Sequence, residues 1–208
     1  MHGIVNAIQV HPEMTASGKT LVLASGSPRR RELLGELGVP FEVVTAGVDE
    51  IEILSAAHPA PADLARDNAR RKAEAVAALR PGRWVLGVDT VVALGDRLFG
   101  KPASLAAARD FLRALSGHTH DVITGCALAG PQGGVEIFHE ISRVTFRELS
   151  AEVIGRYLTE VHVLDKAGAY AVQERGEWIV ERVEGSRSNV IGLPLELLTR
   201  VFRRRGLL

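Results

Sequence analysis

Cysteine is nearly absent from this chain of 208 residues, and the one present is Cys126. A single cysteine excludes an intrachain disulfide and a cysteine-based zinc cage. Its setting, DVITGCALAG, reads as a buried strand, where a small core residue is the ordinary role and a catalytic thiol the exception. Net charge is missing too. Lys plus Arg and Asp plus Glu both number 25, a formal charge of +0. That balance argues against a broad nucleic-acid-binding field and leaves room for a local basic pocket. No run approaches the ~18 apolar residues of a membrane span. The first 19 residues show no basic stretch followed by an apolar one, so no secretory signal is expected. There is no fixed-period repeat and no Pro/Ser-rich linker. The expectation is a cytoplasmic protein with an N-terminal extension over residues 1–19 and one two-lobed domain over residues 20–208.

What is present supports a packed core, with 46% hydrophobic and 24% charged residues. Leu21–Ala24 is a short buried strand. SGSPRRRELLGELG then has the grammar of a helix: Ser27 to cap, Pro28 at the first position, Gly38 after the last apolar residue. Phe41–Thr45 reads as a strand, 46–60 as an acidic irregular stretch, and about Ala62 to Leu79 as a long Ala-rich helix. RWVLGVD is a strand, VVALGDRLFGKP a hairpin turning at Gly95-Asp96, and Leu105–Leu115 a helix. Two strands joined by GPQGG follow, then a helix over Ala151–Leu158. AGAYAVQ and EWIVERVE read as strands around ERGE, and a final helix starts near LPLELL. The pattern predicts an α/β fold with one long mixed β-sheet, flanking helices and a cleft.

Three arginines at a helix start pose an electrostatic problem, because the exposed N–H groups there are already electropositive. An anion resolves it. A strand, a turn containing Gly26 and a helix N-terminus make a phosphate site. Ser25 or Ser27 adds donors, and Arg29 and Arg30 each offer a planar fork. The bland alternative is a solvated face pairing with Glu32 and Glu36. The P-loop pattern is absent here.

Asp89, at the end of the strand VLGVD, suits a magnesium ligand in phosphate chemistry, or simply a turn cap. Thr90 adds a hydroxyl. Lys101 in FGKP can neutralise phosphate or point into water. Asp49, Glu50 and Glu52 are candidates to complete a metal site with Asp89, and Arg70, Arg71 and Lys72 are candidates on the Ala-rich helix. His118 and His120 lie two apart on one strand face, a thin basis for a metal pair. Asp165, Lys166 and Gln173 look like polar residues set around a pocket, and Ser188 and Asn189 like a loop cap.

Together these stretches resemble the Maf family of nucleoside triphosphate pyrophosphatases, over roughly Leu21 to Leu198. LASGSPRRRELL resembles the family's phosphate-gripping signature, implying that role for Ser25, Arg29 and Arg30. GVDE is similar to its acidic loop, implying Glu50 as a metal-side or triphosphate-side residue. ARRKAEAVA implies Lys72 in the site. GVDTVV implies Asp89 as the catalytic carboxylate and a metal ligand, with Thr90 a specificity residue; GKP implies Lys101. DKAGAYAVQ resembles the dTTP and UTP branch, with Gln173 at its specificity position, and SNVIGLP extends the match. Glu174, where Gly often stands, and Arg187, where an aromatic is usual, depart from the pattern near the base-reading end.

The resemblance implies an α/β fold shared with inosine-triphosphate pyrophosphatases and a divalent metal cation, magnesium or manganese. It implies a cytoplasmic enzyme, often a homodimer, that cuts between the α- and β-phosphates to release pyrophosphate. A lone aspartate is a poor base at neutral pH, so metal activation of the water, with Asp89 receiving the proton late, is the expected chemistry. Two other readings stay open: a pyrophosphatase for a methylated purine nucleotide, and a non-catalytic nucleotide-binding regulator of cell division.

Overall fold

A computed structural model describes residues 20–45, 47–48 and 60–208. The elements run β1 (Leu21–Ala24), α1 (Pro28–Glu36), β2 (Phe41–Val43), α2 (Pro61–Leu79), β3 (Trp84–Leu94), β4 (Arg97–Phe99), α3 (Leu105–Leu115), β5 (Thr119–Ala129) and β6 (Val135–Phe146). Then come α4 (Ala151–Glu160), a 3₁₀ turn (Ala167–Ala169), α5 (Gly176–Ile179), β7 (Val180–Glu184), α6 (Arg187–Ile191) and α7 (Leu195–Arg205). The strands form one seven-stranded sheet in the order β2-β1-β3-β5-β6-β7, with β4 attached to β3. β2, β1 and β3 are parallel and the other pairings antiparallel, which is the mixed sheet expected.

β3 is the spine. On one edge it pairs with β5 from Val85 to Ala93. On the other it pairs first with β1, ending at Ala24 opposite Gly87, and later with β4, from Val92 onward. Residues 88–91 therefore have no strand beside them on that edge among the described residues. Open α/β sheets place their ligands at such carboxyl ends.

Each face of the sheet explains part of the site. On one face α2 lies directly on the backbone. Its fully buried Ala65, Ala69 and Ala73 form a row at i, i+4, i+8. A Cβ on Gly87 would stand 2.1 Å from the Ala69 carbonyl oxygen, and one on Gly125 would stand 2.3 Å from that of Ala65. On the other face there are two separate clusters. Leu21, Leu23, Leu86 and Val88 pack with Leu34 of α1 and Phe202 of α7. Val92, Phe99 and Val122 pack with Leu112 of α3, Tyr157 of α4 and Phe146. Complete burial of a side chain such as Phe202 contributes ~1.5–3 kcal/mol, and Val92 and Val122 of the second cluster line the cleft.

Helix ends follow their local chemistry. The Ser104, Ser150 and Ser186 side chains accept from main-chain N–H groups three residues on, capping α3, α4 and α6. Ser27 is the N-cap residue of α1, yet its side chain makes no capping bond. Ser25 Oγ instead accepts from Ser27 N–H, at 3.4 Å.

The segment Ala167–Gln173, expected as a strand, is a 3₁₀ turn followed by irregular chain. Gly168 and Ala169 take φ of 71° and 61°, which bends the chain away from extension. The partner that a neighbouring strand would have supplied is a side chain. The Tyr157 hydroxyl accepts from Ala171 N–H at 2.9 Å and donates to Ala171 O at 3.3 Å. GEWI is likewise a helical turn, and the strand starts only at Val180. Ser188 and Asn189, read as a loop cap, lie inside α6.

Candidate active site

The turn after β1 puts Ser25, buried, beside the unpaired edge of β3. Arg30, one turn into α1, knits the two together. Its Nη1 donates to Ser25 Oγ at 3.1 Å and to Val88 O at 3.0 Å. Its Nη2 donates to Thr90 Oγ1 at 2.9 Å, and its Nε to Gly192 O at 3.0 Å. The chain of contacts continues inward. Thr90 Oγ1 lies 3.0 Å from Thr124 Oγ1, and the Thr124 hydroxyl donates to Asn189 O at 3.3 Å. Asn189 Nδ2 donates to Val122 O and to Ser142 Oγ, both at 3.0 Å. Arg30 thus serves as frame, satisfying a backbone carbonyl that β1 leaves unpaired.

Asp89 points to the other face, toward α2. Lys72 Nζ donates to Asp89 Oδ1 at 2.7 Å, and Asn68 Nδ2 donates to Oδ2 at 3.2 Å. Lys72 and Asn68 are four apart, so one helix face supplies both. The approach of α2 allowed by Gly87 brings them within reach. Asn68 escaped the sequence reading. The signal that could have found it is its i−4 spacing from Lys72 on the small-residue face.

Arg29 Nη1 donates to Asp165 Oδ2 at 2.8 Å, and Nη2 to the Asp165 main-chain oxygen at 3.3 Å. Burial raises the Asp165 carboxyl, and hydrogen bonds from Arg29 and Lys166 outweigh it, leaving the group below its ordinary value.

All of this converges on one cavity of about 960 Å³, within the size range of small-molecule sites. Ser25, Arg29, Arg30 and Lys72 line it, as do Asp89, Thr90, Lys101 and Gln173. Asp49, Glu50 and Glu52 lie outside the described residues.

Other candidates fall elsewhere. Arg70 and Arg71 are exposed on α2. Exposed His118 precedes β5, with Nδ1 2.6 Å from Ser116 O, whereas His120 is buried, with Nε2 2.9 Å from the Tyr170 hydroxyl. Burial lowers the His120 pKa to about 4. The two do not form a metal pair, and no group of three or more His, Cys, Asp or Glu among the described residues is arranged to hold an ion. Cys126 is fully buried, and burial raises its thiol to about 12, which makes it inert. No described helix is long and apolar enough to cross a membrane.

Comparison with known proteins adds the following. The family model for Maf-like proteins matches residues 20–205. A dTTP/UTP pyrophosphatase of Myxococcus xanthus (strain DK1622) is 48% identical over 194 residues, covering 93% of this chain and 96% of its own. A dTTP/UTP pyrophosphatase of Nitratidesulfovibrio vulgaris is 45% identical over 186 residues, covering 89% and 88%. Among solved structures, the Staphylococcus aureus Ham1 protein matches with a TM-score of 0.49 at 16% identity, over 90% of this chain and 100% of that one.

Proposed function

The chain belongs to the Maf-like protein family, and from that premise we propose that it is a hydrolase that converts dTTP and UTP to the monophosphate and pyrophosphate. The observation that carries the reading is the pairing of buried Asp89 with Lys72 in a cavity that also takes in Arg29 and Lys101.

A triphosphate repels nucleophiles until its charge is neutralised. Arg29, Lys72 and Lys101 supply cationic groups for its oxygens, and the turn at Ser25 supplies N–H and hydroxyl donors. Arg30 holds Ser25 and Thr90 in place. Asp89, fixed at both oxygens, orients the attacking water and takes its proton, and Lys72 balances the carboxylate's charge before the substrate arrives. Magnesium takes one or two carboxylates plus phosphate oxygens, so a single buried carboxylate in a triphosphate-sized cavity fits such an ion. Asp89 would hold it, with Glu50 as the expected second ligand. Such an ion supplies charge neutralisation and a more acidic water.

Gln173 is the base reader in this scheme. Its amide offers one donor and one acceptor in a plane, matching the N3–H and a carbonyl of uracil or thymine. Cytosine presents an acceptor at N3 and a donor at C4 and meets the same amide like against like, a mismatch costing about 1–3 kcal/mol once the bound base covers Gln173, which is exposed in the free chain. The resemblance also supports a cytoplasmic homodimer, which sedimentation equilibrium would check. The deciding experiment is pyrophosphate release from a panel of nucleoside triphosphates with magnesium or manganese. Preference for dTTP and UTP over CTP is expected. Preference for a methylated purine nucleotide, or binding without turnover, would overturn the proposal.

A further inference from the structure

Four side chains of alternating charge form a series, three of them, Arg29, Asp165 and Lys166, on the cavity wall and the fourth, Glu174, just beyond it. Arg29 Nη1 meets Asp165 Oδ2 at 2.8 Å. Asp165 Oδ1 accepts from Lys166 Nζ at 3.1 Å, and Lys166 Nζ lies 3.4 Å from Glu174 Oε1. Lys166 Nζ donates as well to the His162 main-chain oxygen. The series begins in the first turn of α1, at the phosphate end, and finishes on the residue directly after Gln173.

Burial singles out its middle member. The Lys166 side chain is 6% exposed. A lysine stays charged at such a depth only when partners replace its water, and here two carboxylates and a carbonyl do so. The Lys166–Glu174 pair also closes a loop. Between its ends the backbone passes through two consecutive left-handed residues, Gly168 and Ala169. An alanine held at positive φ is strained and persists only where its surroundings enforce it. The enforcing contacts are at the ends and in the middle. The ion pair joins positions 166 and 174, Tyr157 holds Ala171, and Gly168 N–H donates to Gly100 O at 3.1 Å, beside Lys101.

We propose that the Arg29–Asp165–Lys166–Glu174 relay fixes Gln173 relative to the triphosphate grip, so that Asp165, Lys166 and Glu174 are positioning residues for base selectivity. The inference rests on the reading of Gln173 as the base reader.

The test compares kcat/KM for UTP and CTP in the full chain and three variants, with inorganic tripolyphosphate as a competitor that has phosphates and no base. Glu174→Gln removes one charge from a partly exposed position. It should narrow the UTP-over-CTP ratio about threefold, the effect of a modest ion pair. The change should come through KM for UTP, with kcat held within about twofold and tripolyphosphate inhibition unchanged. Lys166→Met should narrow the ratio further, with a melting curve to check its fold. Gln173→Ala is the control. If it flattens the ratio while Glu174→Gln and a folded Lys166→Met leave it at the parental value, the relay is overturned and the base reader stands. If Gln173→Ala also leaves the ratio alone, the base reader falls and the relay with it.

Discussion

Lys72 Nζ stands 2.7 Å from Asp89 Oδ1 while Asn68, one turn earlier on the same helix, holds Oδ2. Asp89 is the only buried carboxylate among the described residues, and α2 occupies both of its oxygens. The position of this carboxylate therefore depends on where that helix sits.

Asp89→Asn should keep the shape of this arrangement and remove the proton acceptor. Turnover per folded molecule should fall at least about a hundredfold, the usual scale for a general base, and the melting temperature should drop as well, because the new amide turns a donor toward Lys72 or Asn68. Steady-state kinetics on the purified variant check this, and near-normal turnover would remove Asp89 from the chemistry.

Gly87→Ala should damage the same site from a distance. The new methyl group would meet Ala69 O at 2.1 Å and Ala73 N at 2.7 Å, so α2 has to move. Overpacking of this kind costs about 1–3 kcal/mol or more. Calorimetry should show the lower melting temperature. Activity per folded molecule should fall as well, because Asn68 and Lys72 travel with the helix.

Arg29→Ala should act on binding. A charge-assisted hydrogen bond contributes about 1.5–3 kcal/mol, so kcat/KM for UTP should drop about ten- to a hundredfold, chiefly through KM. If thermal stability collapsed while activity per folded molecule held, Arg29 would be a surface ion-pair partner and no more.

His120 makes stability depend on pH. Its folded pKa, about 4, lies below the ordinary 6.5, so the unfolded chain binds the proton more readily. The contribution of neutral His120 is complete above pH 6.5 and is lost as pH falls toward 4. Between pH 7.5 and 5 that amounts to about 2 kcal/mol. Asp165 and Glu196, both depressed, take effect chiefly below pH 5. Urea titrations at the two pH values should show the loss, and His120→Gln should reduce it. An unchanged pH difference in the variant would assign the effect to other groups.

The sequence reading succeeded where structure is decided locally. Leu105–Leu115 came out residue for residue, because Ser104 caps one end and Ser116-Gly117 ends the other. The β5–β6 hairpin is marked by its glycine-rich turn. Eight of the expected site residues, spread from Ser25 to Gln173, line one cavity, though the resemblance, not periodicity, brought them together. The reading failed where a distant side chain decides. Ala171 is bonded by Tyr157, 14 positions away, and nothing in AGAYAVQ announces that. Arg30 reaches Gly192 across 162 positions, so its use as a frame was hidden behind its value as a cation. Asn68 becomes visible only once Lys72 is known to face inward.

Asp89 and Thr90 are adjacent in the chain and, by the alternation of a strand, look into opposite layers. The side chain of one accepts hydrogen bonds from α2; that of the other meets α1 and β5. Two selective pressures can therefore act on neighbouring codons without interfering. Substitutions can accumulate around Thr90, at Thr124 or the turn at Gly192, while the carboxylate's surroundings on α2 are inherited unchanged. Insertions are another matter. A single codon gained or lost in this stretch of β3 would exchange the two outlooks, putting a hydroxyl before Lys72 and a carboxylate before Arg30, so this part of the gene should tolerate substitution far better than a change of length.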